Sequence, residues 1–220
     1  MTGLSEFTIA TPRPLPVILL ADVSGSMSED GNIDALNHAI GEMIKSFALE
    51  APDRAEIQVA VITFGGAGAR LHTSLVPASA AIWTPMQATG LTPMGAAIDI
   101  ATKLVEDRQV IPSRAYRPSI VLVSDGQPND DWETPLKALH ASARGSKADR
   151  FALGIGSDPG LAALNAFLAD PSKRVLRADD ARQLQRFFEW VTMSVTIRSK
   201  SATPDSAIEP PPPDLGADEF

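Results

Sequence analysis

The chain has 220 residues, 44% hydrophobic and 21% charged, a composition that suits a soluble globular protein with room for one domain and a tail. It has no cysteine, which excludes disulfides, thiolate metal sites and cysteine nucleophiles together. Its net charge of −8 disfavours nonspecific binding to nucleic acid or anionic lipid, so neither a nucleic acid nor a membrane is an expected partner.

The opening MTGLSEFTIATPRPLP lacks the basic start and long apolar run of a secretory leader, and VILLA just beyond it is far too short to span a bilayer. A cytoplasmic location is the expectation, in keeping with a reducing compartment. Residues 16–21, bounded by Pro16 and Asp22, are apolar, as in a strand covered on both faces. Ile33, Leu36, Ile40, Met43, Ile44 and Phe47 recur at helical spacing and predict a helix over about 33–50. EIQVAVITF (56–64) reads as a second strand, GGAGAR as a turn, and RLHTSLVP (70–77) as a third strand in a hairpin with the second.

A second helix is expected over 93–107, with Pro93 in its first turn, where a missing N–H is harmless. SIVLVSDG (119–126) repeats the opening pattern of an apolar strand ending in aspartate. A helix over 131–143, a strand over 149–156, a short helix over 160–170 and a last strand over 174–178 follow. Leu184, Phe187, Phe188, Val191 and Val195 mark a final helix over about 180–197. This alternation predicts an α/β fold: a doubly wound, mostly parallel sheet of about six strands, with one antiparallel edge strand and helices on both faces. The domain is expected over 14–198. Residues 199–220, rich in acid and with Pro210 to Pro213 in a row, are expected to be a disordered tail.

In open α/β sheets, ligands bind at the carboxyl ends of strands, and Asp22 and Asp125 both stand at such ends. DVSGS offers Asp22, Ser24 and Ser26; TGLTPMG offers Thr92; SDGQPND offers Asp125. All are oxygen donors, the ligands that Mg²⁺ prefers. The hydroxyls are neutral, so only two formal negative charges would surround the ion. It would stay electrophilic and keep an open position that a carboxylate from another molecule could fill. Gly25 and Gly126 suit the tight turns beside it.

DVSGSM, TPMGAAI and LVSDGQPND resemble the three metal-ion-dependent adhesion site segments of von Willebrand factor type A domains, in the family's order and within a match covering about 14–198. GLTPMG and SDGQPND are most similar to the bacterial tellurium-resistance branch, the TerY-type proteins. The resemblance implies a Rossmann-like fold and a non-enzymatic binding module in which Asp22, Ser24, Ser26, Thr92 and Asp125 hold Mg²⁺, or Mn²⁺ or Ca²⁺. It further implies a protein partner that presents an acidic side chain to the ion. Within that branch the context is chemical stress, with kinase- or phosphatase-like partners.

Other residues have weaker claims. Asp130 and Asp131 could bind the ion's waters, or cap the helix beginning near Trp132. Trp132, Asp130 and Trp83 are candidate contacts for a partner. His38, His72 and His140 show no ligand spacing, and GGAG lacks the lysine and helix of a phosphate loop. The tail carboxylates Asp205, Glu209, Asp214, Asp218 and Glu219 could reach the open coordination position. The competing reading is a Mg²⁺-dependent aspartyl-phosphate phosphatase with Asp22 as nucleophile. Such enzymes usually carry an acid two residues later, where this chain has Ser24.

Overall fold

The computed structural model describes residues 11–51, 54–156 and 160–215. In chain order its main elements are β1 (Arg13–Asp22), α1 (Asn32–Ala48), β2 (Ala55–Gly65), β3 (Gly68–Pro77), α2 (Met94–Glu106), β4 (Ser119–Ser124), α3 (Glu133–Ala141), β5 (Asp149–Ile155), α4 (Leu161–Leu168), β6 (Leu176–Ala178) and α5 (Ala181–Lys200). The sheet has six strands in the order β3-β2-β1-β4-β5-β6, and β3 alone runs antiparallel, at one edge. This is the expected mixed, doubly wound sheet.

The apolar runs are explained by burial on two sides. Along β1, Leu15, Val17, Leu19 and Ala21 enter one core, with α1 and α5, while Ile18 and Leu20 enter the other, with α2, α3 and α4. Strands β2 and β4 divide the same way, so no position in the middle of the sheet is free to be polar.

β1 begins earlier than expected, at Arg13, and so contains Pro14 and Pro16. Its pairing with β2 starts at Arg13↔Ala55, but its pairing with β4 starts only at Val17↔Ser119. The amides of Arg13 and Val23 donate toward β2, to the carbonyls of Arg54 and Phe64. By alternation, the nitrogens of Pro14 and Pro16 face the β4 side, where no strand yet lies opposite. The missing N–H groups cost the ladder nothing.

Residues 201–215 differ from the expectation of a disordered tail: they lie against the domain. The Arg117 amide donates to Asp205 (2.9 Å), Lys173 pairs with Glu209 (2.8 Å), and the Trp190 indole N–H donates to the Pro210 carbonyl (2.9 Å). Leu215 is buried in the core shared with α5. A segment too poor in apolar residues to fold alone is held here by a few anchors on a surface that is already formed. Asp205 and Glu209 are thus engaged away from Asp22 and Asp125; Asp205 bonds beside the amino end of β4, and Asp125 follows its carboxyl end. Asp218 and Glu219 lie outside the described residues. Among the described residues, no helix is long and apolar enough to cross a membrane.

Candidate metal centre

Three loops meet at the carboxyl ends of β1 and β4, and backbone contacts hold them together. The Thr89 amide donates to the Val23 carbonyl (2.8 Å), the Gly25 amide donates to the Gly90 carbonyl (2.9 Å), and the Gly66 amide donates to the Thr89 carbonyl. This approach leaves no room for side chains. A Cβ at Gly65 would lie 2.4 Å from the Val23 carbonyl oxygen, and one at Gly90, where φ is +77°, would lie 2.5 Å from the Gly66 Cα. After Ser24 the chain enters a 3-10 segment, Gly25–Gly31, and buried Met27 pins that segment to the core.

Asp22 is fully buried. One carboxylate oxygen accepts from the Ser24 amide (2.8 Å) and the other from the Ser124 hydroxyl (2.6 Å). Ser24 and Ser26 lie 3.0 Å apart through their hydroxyl oxygens. The Ser26 hydroxyl donates to Asp125 at 2.9 Å, and that of Ser24 at 3.4 Å. Asp22, Ser24, Ser26 and Asp125, from two different strand ends, therefore form one connected group of oxygens.

Thr92 joins the group through its backbone. Its carbonyl accepts from the Met94 amide (2.9 Å) and from the Asn129 amide (3.1 Å) in the loop after β4. Its side-chain oxygen lies 4.0 Å from where a Cβ on Gly126 would be, which places it next to the residue after Asp125. Thr92 is itself 8% exposed.

Burial pushes the Asp22 carboxyl up to about 6, against the opposing hydrogen bonds from Ser124 and Ser24, and the nearby Asp125 charge adds to the rise. Asp125 is also raised, first by burial, then by repulsion from Glu29, with Ser26 and Ser24 opposing. The hydrogen bonds on these two acids come from hydroxyls and an amide rather than from a lysine or arginine. Among the described residues, these two partly desolvated carboxylates thus have no cationic side chain bonded to them. Hydroxyl and carboxylate oxygens with this unmet charge fit a hard divalent cation. Among the described residues, no three acidic or histidine side chains cluster as a metal site, so any ion here must rely on hydroxyls as well.

One residue of the site was not singled out by sequence reasoning. Ser124 ends β4 and holds Asp22; the pairing Ala21↔Val123 places the next residues, Asp22 and Ser124, side by side, a relation visible only once the strands are aligned. Asp130, expected to bind the ion's waters, to cap the helix that follows it or to contact a partner, has a different role. Its two carboxylate oxygens accept from the amides of Gly95 and Ala96, both at 2.9 Å, so it caps α2 from the loop leading to α3. Asp131 caps α3 instead, through the Thr134 amide (3.1 Å). Pro93 sits at the N-cap of α2, one position ahead of the helix. A Cβ at Gly95 would lie 2.1 Å from the Asp131 carbonyl oxygen, which shows how closely the first turn of α2 packs on the loop after β4.

The tryptophans are half-buried. Trp132 packs against the core formed with α2 to α4, while Trp83 packs on α1 beside Gly41 and edge-on to His72, with ring centroids 5.6 Å apart. His72 also bonds the Thr84 carbonyl (2.8 Å), and the histidines stay apart from the oxygen cluster.

A family model described as the von Willebrand factor type A domain matches residues 17–190. No curated protein matches the chain. Among solved structures, the chain is similar to a von Willebrand factor type A protein from Catenulispora acidiphila, with 22% identity and a TM-score of 0.64 over 83% of this chain and 42% of that one. It is similar to the pilus adhesin SpaC from Lactobacillus rhamnosus GG in its open conformation, with 15% identity and a TM-score of 0.66 over 84% of this chain and 30% of that one. It is also similar to proximal thread matrix protein 1 from the mussel byssus with a zinc-occupied MIDAS motif, with 13% identity and a TM-score of 0.58 over 82% and 48%. The chain spans less than half the length of each, and at these identities the likeness is one of fold. With the family model matched over most of its length, on a six-stranded sheet of the expected order, the chain belongs to the von Willebrand factor type A family.

Proposed function

We propose that this protein is a non-enzymatic, divalent-cation-dependent protein-binding module. In this reading Asp22, Ser24, Ser26, Thr92 and Asp125 hold Mg²⁺, with Mn²⁺ or Ca²⁺ as the other hard cations the donors suit, and a partner's acidic side chain completes the coordination. The observation that carries it is the pair of desolvated carboxylates, Asp22 and Asp125, linked through Ser24 and Ser26, with no basic side chain among the described residues bonded to either. The zinc-occupied MIDAS motif of the mussel protein supports a cation in a fold of this kind. Leu91, 65% exposed beside Thr92, offers the partner an apolar contact next to its acid.

The phosphatase alternative asks Asp22 to attack a phosphoryl group. A carboxylate at 0% exposure is poorly placed to reach an incoming phosphoryl group, and position 24 supplies no acid. The GLTPMG and SDGQPND segments support the narrower proposal of a cytoplasmic protein of a tellurium-resistance or chemical-stress system, with kinase- or phosphatase-like partners.

The test is thermal melting with Mg²⁺ or Mn²⁺ and with chelator, on the wild type and on Asp125→Ala. A cation that binds only the folded chain stabilises it by about 2.7 kcal/mol at a hundredfold excess over its dissociation constant. The expected result is a rise in melting temperature for the wild type alone. An equal rise in the variant would remove Asp125 from the site, and phosphomonoester turnover that vanishes in Asp22→Asn would replace binding with catalysis.

A further inference from the structure

The tail expected to be disordered occupies a groove whose walls make contacts of their own within the domain. Its floor is β5, left uncovered at its amino end because β6 pairs only with Leu153 to Ile155. Phe151 and Trp190 line it, edge to face with ring centroids 5.1 Å apart. Lys173, in the loop before β6, lies 5.0 Å above the Phe151 ring and donates to the Arg150 carbonyl at 3.3 Å. These contacts belong to the domain and form an aromatic wall beside a cation.

The segment in this groove is Glu209–Pro210–Pro211–Pro212. Glu209 pairs with Lys173, each side chain about a quarter exposed, and the indole N–H of Trp190 donates to the Pro210 carbonyl. An indole donating to the carbonyl of a proline run, on an aromatic surface, is how extended proline-rich segments are read, since prolines supply a stiff chain with free carbonyls. The fit is incomplete. A cavity of about 310 Å³ remains between Pro210–Pro212 and a wall that includes Leu168 and Arg174. Ile208, just before the acid, is 88% exposed.

We propose that this groove is a second recognition site, separate from the cation cluster, that binds an extended segment of another protein with an acid followed by prolines, and that the chain's own residues 209–212 fill it in cis. Lys173 selects the acid, Trp190 the carbonyl of the first proline, and the residual cavity admits a larger apolar side chain than this tail provides. Tethering gives the tail an effective concentration on the order of millimolar, so a partner must bind more tightly than that or meet a loosened tail.

The test uses a fluorescently labelled synthetic peptide of residues 203–215 and the full chain carrying Glu209→Lys with Leu215→Asp, which sets a like charge against Lys173 and removes the buried anchor. We expect this tail-released chain to bind the peptide at least about tenfold more tightly than the wild type does. The gain should disappear when Trp190→Phe or Lys173→Ala is added, or when Pro210 to Pro213 of the peptide are replaced by alanine. A cooperatively folded tail-released chain with no gain overturns the proposal, as does equal binding of the alanine peptide. The wild type gives a measurement that does not depend on the variants' folding: excess unlabelled peptide should displace the tail of an isotope-labelled chain and move its Leu215 methyl resonances from their buried positions toward random-coil values, and unmoved Leu215 resonances at millimolar peptide also overturn the proposal. A wild-type dimer that Trp190→Phe dissolves would assign the groove to a second copy and overturn it too.

Discussion

The two ends of the sheet treat buried charge in opposite ways. At the amino ends of β4 and β5, the guanidinium of Arg198 is 1% exposed, and the chain satisfies it completely. It pairs with Asp149 (2.9 Å) and approaches Asp205 (3.5 Å), and it donates to the Ser119 hydroxyl (2.7 Å) and to the carbonyls of Arg117 (2.8 Å) and Pro204 (3.1 Å). At the carboxyl ends, Asp22 and Asp125 share only hydroxyl and amide donors, and both are pushed up by burial. One end pairs Arg198 within the polypeptide, although the Nε atoms of Arg117 and Arg150 at the same end are buried without a hydrogen-bond partner among the described residues. The other leaves negative charge for something from outside to balance, as expected where stability has been given up for binding.

The sharpest way to break this comparison is to remove the charge at each end. Arg198→Met takes its buried partner from Asp149, which keeps the partly exposed Arg117 at 3.1 Å, and should cost about 3 kcal/mol in denaturant unfolding, the low end for breaking a buried pair. A loss below about 1 kcal/mol would mean that the base is not a closed ion network.

Asp22→Asn should act with the opposite sign. In chelator at pH 8 it should leave stability unchanged or raise it by up to about 3 kcal/mol, because it removes an uncompensated buried charge. The sign follows from linkage. The folded value of about 6 lies above the ordinary 3.8, so the folded chain holds this proton more tightly than the unfolded one. The Asp22 contribution to cation-free stability is therefore fully present below about pH 4 and is lost as pH rises through about 6. A bound cation competes with that proton, so the melting-temperature rise produced by Mg²⁺ should shrink as pH falls through about 6. A Mg²⁺ effect equal at pH 5 and pH 8 would separate the ion from Asp22.

The smallest expected effect is at Asp130. Asp130→Ala removes the cap on α2 and should cost about 1 kcal/mol. It also frees the turn that carries Thr92 relative to the loop that carries Asp125, so cation affinity should fall by roughly tenfold. The matching loss of the α3 cap, Asp131→Ala, should lower stability by a similar amount with cation affinity unchanged. Equal affinities in the two variants would show that Asp130 is a cap and nothing more.

The strands and helices were legible because burial on both faces leaves a plain mark in composition. β1, β2 and β4 are apolar at successive positions, and α1 and α5 carry one apolar stripe each. The cluster of Asp22, Ser24, Ser26 and Asp125 was legible because oxygen-bearing residues follow directly on strands whose ends a parallel sheet must align. Ser124 was not, because a serine at the end of a strand looks like any other until the register sets it beside Asp22. Asp130 was read as a solvent ligand, a cap for the helix that follows it, or a partner contact, because local spacing says nothing about a helix more than thirty residues earlier; it caps α2, through Gly95 and Ala96. The place of the tail is illegible for the same reason: Glu209, Pro210 and Leu215 find partners on α5, in the loop before β6 and in the core, none adjacent in sequence.

The sequence by itself therefore determined the order and type of the main elements and the oxygen chemistry at the strand ends, since both are written in local patterns of period and residue type. Tertiary structure alone decided which carboxylate is held by which hydroxyl, which aspartate caps which helix, where the buried arginine finds its acid, and where the proline-rich tail lies. Those relations join residues far apart along the chain, and their energies come from burial and from geometry between elements, which no local window of sequence contains.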